Sequence, residues 1–326
     1  MNNVLITAAS FGKNSDKAEK FLKEKGCNVT YYNKMHLKSA ELAGIIKGYD
    51  ALIVGIDQVD RNVINESDQL KIICMHGTGV DHIDIAAASG RGIYVGNVPG
   101  GNCNAVAEYT VGLMIVAARH IVYSDKSIRV HAWKRKVGTE ITGKTLGIIG
   151  LGHIGKRVVE LLSGFHMEIL VYDVKQDQKY AERMGLKYVE LDELLRRSDV
   201  VSLHTDLNEE TKEIIAKREL ALMKKSAILI NTARGELVNE DDLYLALKNK
   251  EIGAAGLDAF ANEPLGENSK FSELDNIVLT AHSAASTGES VDYIDFENAL
   301  TIIKVFNGVI PNNILNKNEA VNGKID

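Results

Sequence analysis

Thr145-Leu-Gly-Ile-Ile-Gly-Leu-Gly-His-Ile-Gly155 decides the fold. An apolar, β-prone run enters a turn with glycines at 150, 152 and 155, and Val158, Val159 and Leu162 then recur at helical spacing. In a strand, turn and helix of this kind Gly150 makes the tight turn, Gly152 lets the backbone approach a pyrophosphate, and Gly155 lets helix and strand pack closely. The N-terminus of the helix faces the phosphates with free N–H groups. The following run, Glu168-Ile-Leu-Val-Tyr-Asp173, ends in a carboxylate. Its spacing from the turn is about the 20 residues at which such a group accepts hydrogen bonds from an adenosine ribose. A bare G-x-G-x-x-G often does nothing but turn. The strand before it, the helix after it and the terminal Asp173 together point to dinucleotide binding.

Downstream of Asp173 the alternation of strand and helix resumes. Val200–His204, Ala227–Asn231, Ala254–Asp258 and Ile277–Thr280 read as strands, with helices at Glu219–Lys224 and at Asn239–Lys250, the latter with Asn239 as N-cap. This makes a doubly wound parallel sheet. Upstream, Val4–Ala9, Asn28–Tyr32, Ala51–Gly55, Lys71–Met75 and Gly92–Val95 read as short strands separated by helical patterns such as Ser15–Lys25 and Ser39–Lys47. They form a second α/β unit without a glycine fingerprint of its own. Asn97-Val-Pro-Gly-Gly-Asn102 is the clearest turn cluster, and a long helix is predicted over Asn102–His120. A further helix from Ser286, with Ile294, Phe296, Leu300 and Ile303 on apolar positions, is expected to return and complete the first unit. The predicted domains are therefore 1–100 plus 286–326, which would bind substrate, and 101–285, which would bind the dinucleotide. Asn316–Asp326 is polar and expected to be frayed.

At 326 residues with 45% hydrophobic content the chain suits two domains. A net charge of −6 and scattered Lys and Arg argue against a nucleic-acid partner. The longest apolar run, Leu113–Ala118, is too short to span a bilayer. Met1-Asn-Asn-Val-Leu-Ile-Thr-Ala-Ala9 lacks the basic start and long apolar core of a signal peptide, so a cytoplasmic location is expected. Cys27, Cys74 and Cys103 lie far apart without zinc-ligand spacing, and they read as reduced thiols, with no metal expected. Trp133, in a polar and basic stretch, reads as an aromatic anchor at an interdomain or subunit contact.

Ligands in open parallel sheets bind beyond the carboxyl ends of the strands. Arg234, Glu263 and His282 stand out there. Singly, Arg234 reads as a solvated cation at a helix end, Glu263 as an ordinary loop charge and His282 as a histidine satisfied inside the fold. All three fall at strand ends beside one cofactor turn, and that favours chemistry. An imidazolium supplies the proton that a carbonyl needs as it receives hydride. A carboxylate beside it keeps the ring charged, and an arginine fork holds carboxylate and carbonyl oxygens.

The ordered stretches Gly77-Thr-Gly-Val-Asp-His-Ile-Asp84, Gly96–Glu108, Gly150–Gly155, Asn231–Gly235, Asp258–Pro264 and Ala281-His282 resemble the D-isomer-specific 2-hydroxyacid dehydrogenases over nearly the whole chain. The resemblance implies an α/β fold of two Rossmann-like domains, the cofactor domain inserted into the substrate domain. It implies a catalytic triad of Arg234, Glu263 and His282, with Thr78, His153, Ile154, Asp173, Thr205, Thr232, Ala233, Asp258 and Ala284 near NAD. It also implies that Gly77, Thr78, Gly79 and Val80 offer backbone N–H groups to the carboxylate of a small 2-hydroxy or 2-oxo acid. A homodimer built on the helix from Asn102 and the segment through Trp133 is likewise implied.

Several positions depart from the family pattern. Ala281 and Asp206 stand where relatives commonly carry Pro, so the active loop and the adenine wall lose a fixed φ and are expected to be looser. The chain looks most like the 3-phosphoglycerate dehydrogenase branch, yet Gly55 and Met75 stand where that branch places the arginines that hold phosphate. Arg61 and His76 are the available substitutes. The chain ends soon after its closing helix, so the regulatory domain of longer members is not expected. Thr78 replaces the Lys of the phosphite-oxidising branch. The expected substrate is glyoxylate, hydroxypyruvate or a similar short acid, with 3-phosphoglycerate as the alternative. An NAD-sensing corepressor-like binding protein is the alternative of another class.

Overall fold

The computed structural model describes residues 1–32, 34 and 37–322. The chain divides into two compact units, Met1–Asn102 with Ser286–Asp326, and Cys103–Ala285.

The first unit opens with β1 (Asn2–Ile6), α1 (Lys17–Glu24), β2 (Cys27–Tyr31), α2 (Ser39–Ile45), β3 (Ala51–Val54), α3 (Arg61–Glu66), β4 (Ile72–Met75), α4 (Ile85–Gly90) and β5 (Tyr94–Gly96). The strands pair in parallel in the order β2-β1-β3-β4-β5. Every residue of β3 and β4 is buried, which is why both read as unbroken apolar runs with no alternation. Helices α3 and α4 span only six residues each, too few to show an amphipathic period. Their starts are fixed by caps instead. Asp60 accepts from the Asn62 and Val63 N–H groups at 3.0 and 3.2 Å, and Asp84 accepts from the Ala87 N–H at 2.8 Å.

The second unit runs through α5 (Cys103–Ala118), α6 (Ile121–Arg129), β6 (Thr145–Ile149), α7 (His153–Leu161), β7 (Glu168–Tyr172), α8 (Gln178–Met184), β8 (Lys187–Tyr188) and α9 (Leu191–Arg197). It continues with β9 (Val200–Leu203), α10 (Lys217–Leu222), β10 (Ile228–Asn231), α11 (Glu240–Lys248), β11 (Ala254–Leu257) and β12 (Ile277–Leu279). The sheet is parallel, in the order β12-β11-β10-β9-β6-β7-β8. Strand order reverses at β6, between β7 and β9, so the glycine turn sits at the switch point of the sheet, where doubly wound units bind ligands. The predicted helix over Asn102–His120 stops at Ala118. His120 adopts a left-handed φ of 52°, and α6 restarts at 67° to α5. Among the described residues no single helix is long and apolar enough to cross a membrane. Asn239 caps α11 as expected, accepting from the Asp242 N–H at 3.0 Å.

The chain then returns to the first unit through α12 (Gly288–Phe306) and α13 (Lys317–Asn322). Ile294 is buried on α12, and Ala299, Ile302 and Ile303 join Val4, Ile6, Leu22, Ile53 and Ile72 in one core. The fraying expected from Asn316 onward is not what the structure shows through Asn322. Asn316 is 2% exposed. Its side chain accepts from the Val95 N–H and donates to Ser89 Oγ and the Ile93 carbonyl, all at 2.9 Å. A polar side chain that pairs with an otherwise open strand edge is indistinguishable by composition from a solvated one.

Candidate active site

β6 ends at Ile149, and the chain turns at Gly150 with φ 94°. A Cβ there would lie 2.7 Å from the His204 carbonyl and the Thr205 nitrogen, so the turn rests directly on the loop that follows β9. A Cβ at Gly155 would lie 2.3 Å from the Gly150 oxygen, whereas at Gly152 nothing lies within 4 Å. Gly150 and Gly155 are thus required by packing, and Gly152 faces open space. Gly152 is the N-cap of α7 and brings no side-chain capping bond, so the N–H groups of the first turn, from His153 and Ile154 onward, point outward without intrahelical partners. Asp173 follows β7. One oxygen takes the Leu151 N–H at 2.6 Å and the other the Lys175 N–H at 2.8 Å, tying the strand end to the glycine turn. A carboxylate has about four lone-pair sites, so it retains acceptors for ribose hydroxyls. Open space at Gly152, an uncapped helix start and an acceptor at Asp173 fit a dinucleotide.

Arg234 and Glu263 are carried by two loops whose backbones touch. After β10, the Asn231 side chain brackets the turn, taking the Ala233 N–H at 3.0 Å and donating to the Arg234 carbonyl at 2.7 Å. At Gly235 an added Cβ would lie 1.9 Å from the Phe260 carbonyl carbon and 2.1 Å from the Ala261 nitrogen. Only glycine lets the loop after β11 settle on the arginine turn. On that loop Glu263 Oε1 takes the Phe260 N–H at 3.0 Å. Its two oxygens lie 2.8 and 3.0 Å from His282 Nδ1. The hydrogen bond that His282 donates to Glu263, with the charges of Glu263 and Asp258, raises the imidazole above its ordinary range against the opposing effects of burial and Arg234. Burial pushes the Glu263 carboxyl up, but the His282 and Phe260 hydrogen bonds and the charges of His282 and Arg234 outweigh it and hold the group below the usual range. Arg234 therefore acts electrostatically on both partners.

His282 occupies the left-handed region at φ 49°, a conformation that costs a non-glycine residue on the order of 1 kcal/mol or more and must be imposed by its surroundings. Asp258 imposes it. This carboxylate, 1% exposed, takes Thr280 Oγ1 at 2.7 Å and the Ser283 and Ala284 N–H groups at 2.8 Å each. Its backbone carbonyl takes the His282 N–H at 2.9 Å. Asp258 and Ala284, both expected beside the cofactor, are buried parts of the brace behind His282. The same brace stands in for the rigidity that Ala281 gives up. After β9, Thr211 Oγ1 donates to the Asp206 carbonyl at 2.7 Å, so that loop too is held by hydrogen bonds and not by a proline. Thr205 and Ala233 are half-buried, and Thr232 Oγ1 pairs with Thr110 Oγ1 of α5 at 2.8 Å.

Gly77, Thr78, Gly79 and Val80 lie in the first unit, just past β4. The Gly77 carbonyl takes the Val98 N–H at 2.9 Å, and the Thr78 carbonyl takes the Asn97 side chain at 2.7 Å. Among the described residues the N–H groups of the four donate to no protein acceptor. Arg61 and His76, the two substitutes considered for the phosphate-holding arginines, both have partners of their own. His76 is buried with both ring nitrogens engaged. Arg61 is 71% exposed, 3.7 Å from Asp84.

A family model, the D-isomer specific 2-hydroxyacid dehydrogenase NAD binding domain, matches residues 111–284. The chain is 40% identical over 285 residues to glyoxylate reductase of Thermofilum pendens, covering 85% of this chain and 84% of that one. The chain belongs to the D-isomer-specific 2-hydroxyacid dehydrogenase family. It is also 43% identical over 284 residues to D-3-phosphoglycerate dehydrogenase of Methanocaldococcus jannaschii, covering 86% of this chain and 54% of that one. It thus spans about half the length of the phosphoglycerate dehydrogenases it matches first. The TT0316 protein of Thermus thermophilus has the same fold, with a TM-score of 0.89 and 33% identity over 96% of this chain and 99% of that one. Both the glycine turn and the Glu263–His282 pair fall inside the matched NAD-binding domain.

Two residues of this domain were not singled out from sequence. Glu240, the first residue of α11, takes the Ala261 N–H at 2.8 Å. Burial, with the charges of Glu236, Asp241 and Glu263, pushes its carboxyl above the usual range. His204 forms the floor of the Gly150 turn, and burial drives its imidazole down to about 3, so it is neutral. Neither position carries a sequence signal, because a helix-start glutamate and a strand-end histidine are ordinary residues until their neighbours are known.

Proposed function

We propose that the chain is an NAD-dependent oxidoreductase that moves a hydride between the nicotinamide and a small D-2-hydroxy acid or its 2-oxo acid. Glyoxylate, hydroxypyruvate or a similar short acid is the substrate. The observation that carries this reading is the imidazole of His282, bonded at Nδ1 to both oxygens of Glu263 and raised above its ordinary range, on the same unit as Arg234 and a dinucleotide turn.

NAD, when bound, supplies or accepts the hydride. His282 gives its proton to the carbonyl oxygen as that oxygen gains charge, and takes it back in the reverse direction. Glu263 stabilises the imidazolium and fixes the ring through Nδ1, leaving Nε2 toward the substrate. Arg234 contacts the carboxylate and the developing alkoxide, an interaction that strengthens as charge accumulates. In the first unit, the unpaired N–H groups of Gly77, Thr78, Gly79 and Val80 are the proposed donors to the substrate carboxylate, as in anion-binding backbone nests. Gly150, Gly152, His153, Ile154 and Gly155 hold the pyrophosphate and Asp173 the ribose. Thr78, Thr205, Thr232, Ala233, Asp258 and Ala284 line or support the rest of the cofactor site.

The 43% identity to a phosphoglycerate dehydrogenase favours a second reading, oxidation of D-3-phosphoglycerate. Gly55, Met75 and the engaged ring of His76 weigh against it. A cytoplasmic location agrees with three free thiols. A homodimer agrees with Val130 and Trp133 at 72% exposure and Val137 at 97%, all just beyond α6. Reduction of a panel of 2-oxo acids, followed by NADH oxidation, tests the assignment. Absence of turnover with every acid, alongside intact NADH binding, would replace it with the NAD-sensing binding role.

A further inference from the structure

A buried polar relay lies at the carboxyl ends of the strands of the first unit, apart from Glu263 and His282. The side chains of His76 and Asp295 are 5% and 2% exposed. His76 Nε2 lies 2.6 Å from Asp295 Oδ1, and Asp295 Oδ2 takes the Gly12 N–H at 2.8 Å. On the other side of the ring Nδ1 meets the Ser10 hydroxyl at 3.3 Å, and Phe11 packs edge-on against the imidazole with centroids 6.0 Å apart. Burying a histidine–aspartate pair carries a desolvation cost that an apolar pair of the same volume would avoid. Joining α12 to β4 is therefore not a sufficient account of it.

The relay orients the Ser10 hydroxyl through the His76 ring. An ionised carboxylate only accepts, so Nε2 donates to Asp295, and the tautomer we assign leaves a lone pair at Nδ1 for Ser10. Ser10 gives its single O–H to that lone pair. Ser10 is half-buried, and with its proton given to Nδ1 its oxygen keeps two acceptor sites. The sheet order puts the switch point of this unit between β1 and β3, the place where such sheets hold ligands. Ser10 follows β1. A Cβ at Gly55, just after β3, would lie 3.4 Å from the Ala8 Cα, so these two loops lie side by side. The unpaired N–H groups of Gly77 to Val80 begin at the residue next to His76.

Resting on the 2-oxo acid reading above, we propose that Ser10, oriented by His76 and Asp295, selects substrates that carry a hydroxyl at C3. The Ser10 oxygen accepts a hydrogen bond from that hydroxyl while the Gly77–Val80 N–H groups hold the carboxylate. Hydroxypyruvate, and glycerate in the reverse direction, is favoured over glyoxylate, which has no C3. A 3-phosphate presents oxygens that are acceptors, and it meets the Ser10 lone pairs with no proton between them.

The test compares kcat/KM for hydroxypyruvate and glyoxylate in the wild type, Ser10→Ala and Asp295→Asn. Loss of the acceptor in Ser10→Ala is expected to lower the hydroxypyruvate-to-glyoxylate ratio about tenfold. Asp295→Asn keeps the shape and reverses the polarity. Its amide oxygen still takes the Gly12 N–H, while its NH2 donates to Nε2, moves the ring proton to Nδ1 and swings the Ser10 proton outward. Because the C3 hydroxyl also accepts, the ratio is expected to stay near that of the wild type, while the KM for phosphohydroxypyruvate falls, an outcome that a purely structural role for Asp295 would not produce. A Ser10→Ala ratio within about twofold of wild type, or an Asp295→Asn enzyme with an unchanged KM for phosphohydroxypyruvate, would overturn the proposal while leaving the oxidoreductase reading intact. Should Asp295→Asn fail to fold by thermal melting, the Ser10→Ala ratio decides alone. A wild type that reduces none of the acids overturns both readings together.

Discussion

Glu263 grips His282 Nδ1 with both carboxylate oxygens, Oε2 at 2.8 Å and Oε1 at 3.0 Å. The contact raises the imidazole above its ordinary range, so the acid needed for 2-oxo acid reduction stays protonated to higher pH. Removing the carboxylate charge in Glu263→Gln destabilises the imidazolium. The alkaline limb of kcat should then move to lower pH while NAD affinity is kept. His282→Ala should lose on the order of 10²–10⁴-fold in rate at every pH. Profiles of kcat against pH for the three proteins check this, and a Glu263→Gln profile that overlays wild type would count against the assignment.

Gly235 is the hinge point of the same site in a steric sense. A methyl group there would overlap the Phe260 and Ala261 backbone at 1.9 and 2.1 Å, and neither atom belongs to a side chain that could rotate away. Gly235→Ala should cost about 1–3 kcal/mol of stability and, by displacing Glu263 from His282, lower kcat more than it raises the KM for NADH. Urea unfolding together with steady-state kinetics measures both effects. A variant as stable and as active as wild type would contradict the packing argument.

Cofactor choice follows from Asp173. Its carboxylate accepts from ribose hydroxyls but repels a 2′-phosphate, and Val174, 88% exposed, supplies no cation. The kcat/KM for NADH should exceed that for NADPH by about tenfold or more, on the order of 1.4 kcal/mol in the transition state. Lys175 is the neighbour able to compensate, and equal values for the two cofactors would assign it that role.

Substrate phosphate should bring little advantage. With His76 committed to Asp295 and Ser10 and with Arg61 on the surface, the phosphate would be desolvated without paired donors. The KM for phosphohydroxypyruvate is expected to be no lower than that for hydroxypyruvate. A far lower value would redirect attention to a basic residue of the first unit.

Assembly is the remaining expectation. Trp133 at 72% and Val137 at 97% exposure leave apolar side chains open close together in the sequence. Light scattering at micromolar concentration should give the mass of a dimer, and Trp133→Glu should shift it toward that of a monomer. A monomeric wild type would remove the argument.

Residues whose local pattern is self-sufficient were legible in the sequence. The glycine turn could be read because strand, turn, helix and Asp173 lie within one short segment, and Asn239 could be read as a cap from its place before an acidic first turn. Glu263 and His282 stood out by their positions after two strands, and their grouping with Arg234 in a triad came from the family resemblance, not from any spacing between them. The brace formed by Asp258 could not be read, since an aspartate after a strand looks the same whether it turns toward a cofactor or inward to three loop donors. Asn316 misled for a related reason. Its burial depends on β5, more than 200 residues earlier in the chain, and composition carries no record of so distant a partner. The break at His120 lies in the middle of apolar helical periodicity that continues on either side.

The first unit is assembled from segments that the ribosome delivers at separate times. Its sheet is encoded by Met1–Asn102, but the helix that covers the sheet and the segment that pairs Ile314 with Gly96 belong to Ser286–Asp326. At synthesis rates of about 5–20 residues per second the early strands wait roughly 10–40 s for their cover. During that interval the second unit, contiguous in sequence, emerges whole. The sheet of the first unit meanwhile holds an uncovered apolar face and an unpaired β5 edge, a template for misassociation. A nascent chain stalled short of Ser286 should therefore resist protease across Cys103–Ala285 while Met1–Asn102 is cleaved, and equal resistance of both would show that the early sheet folds without waiting.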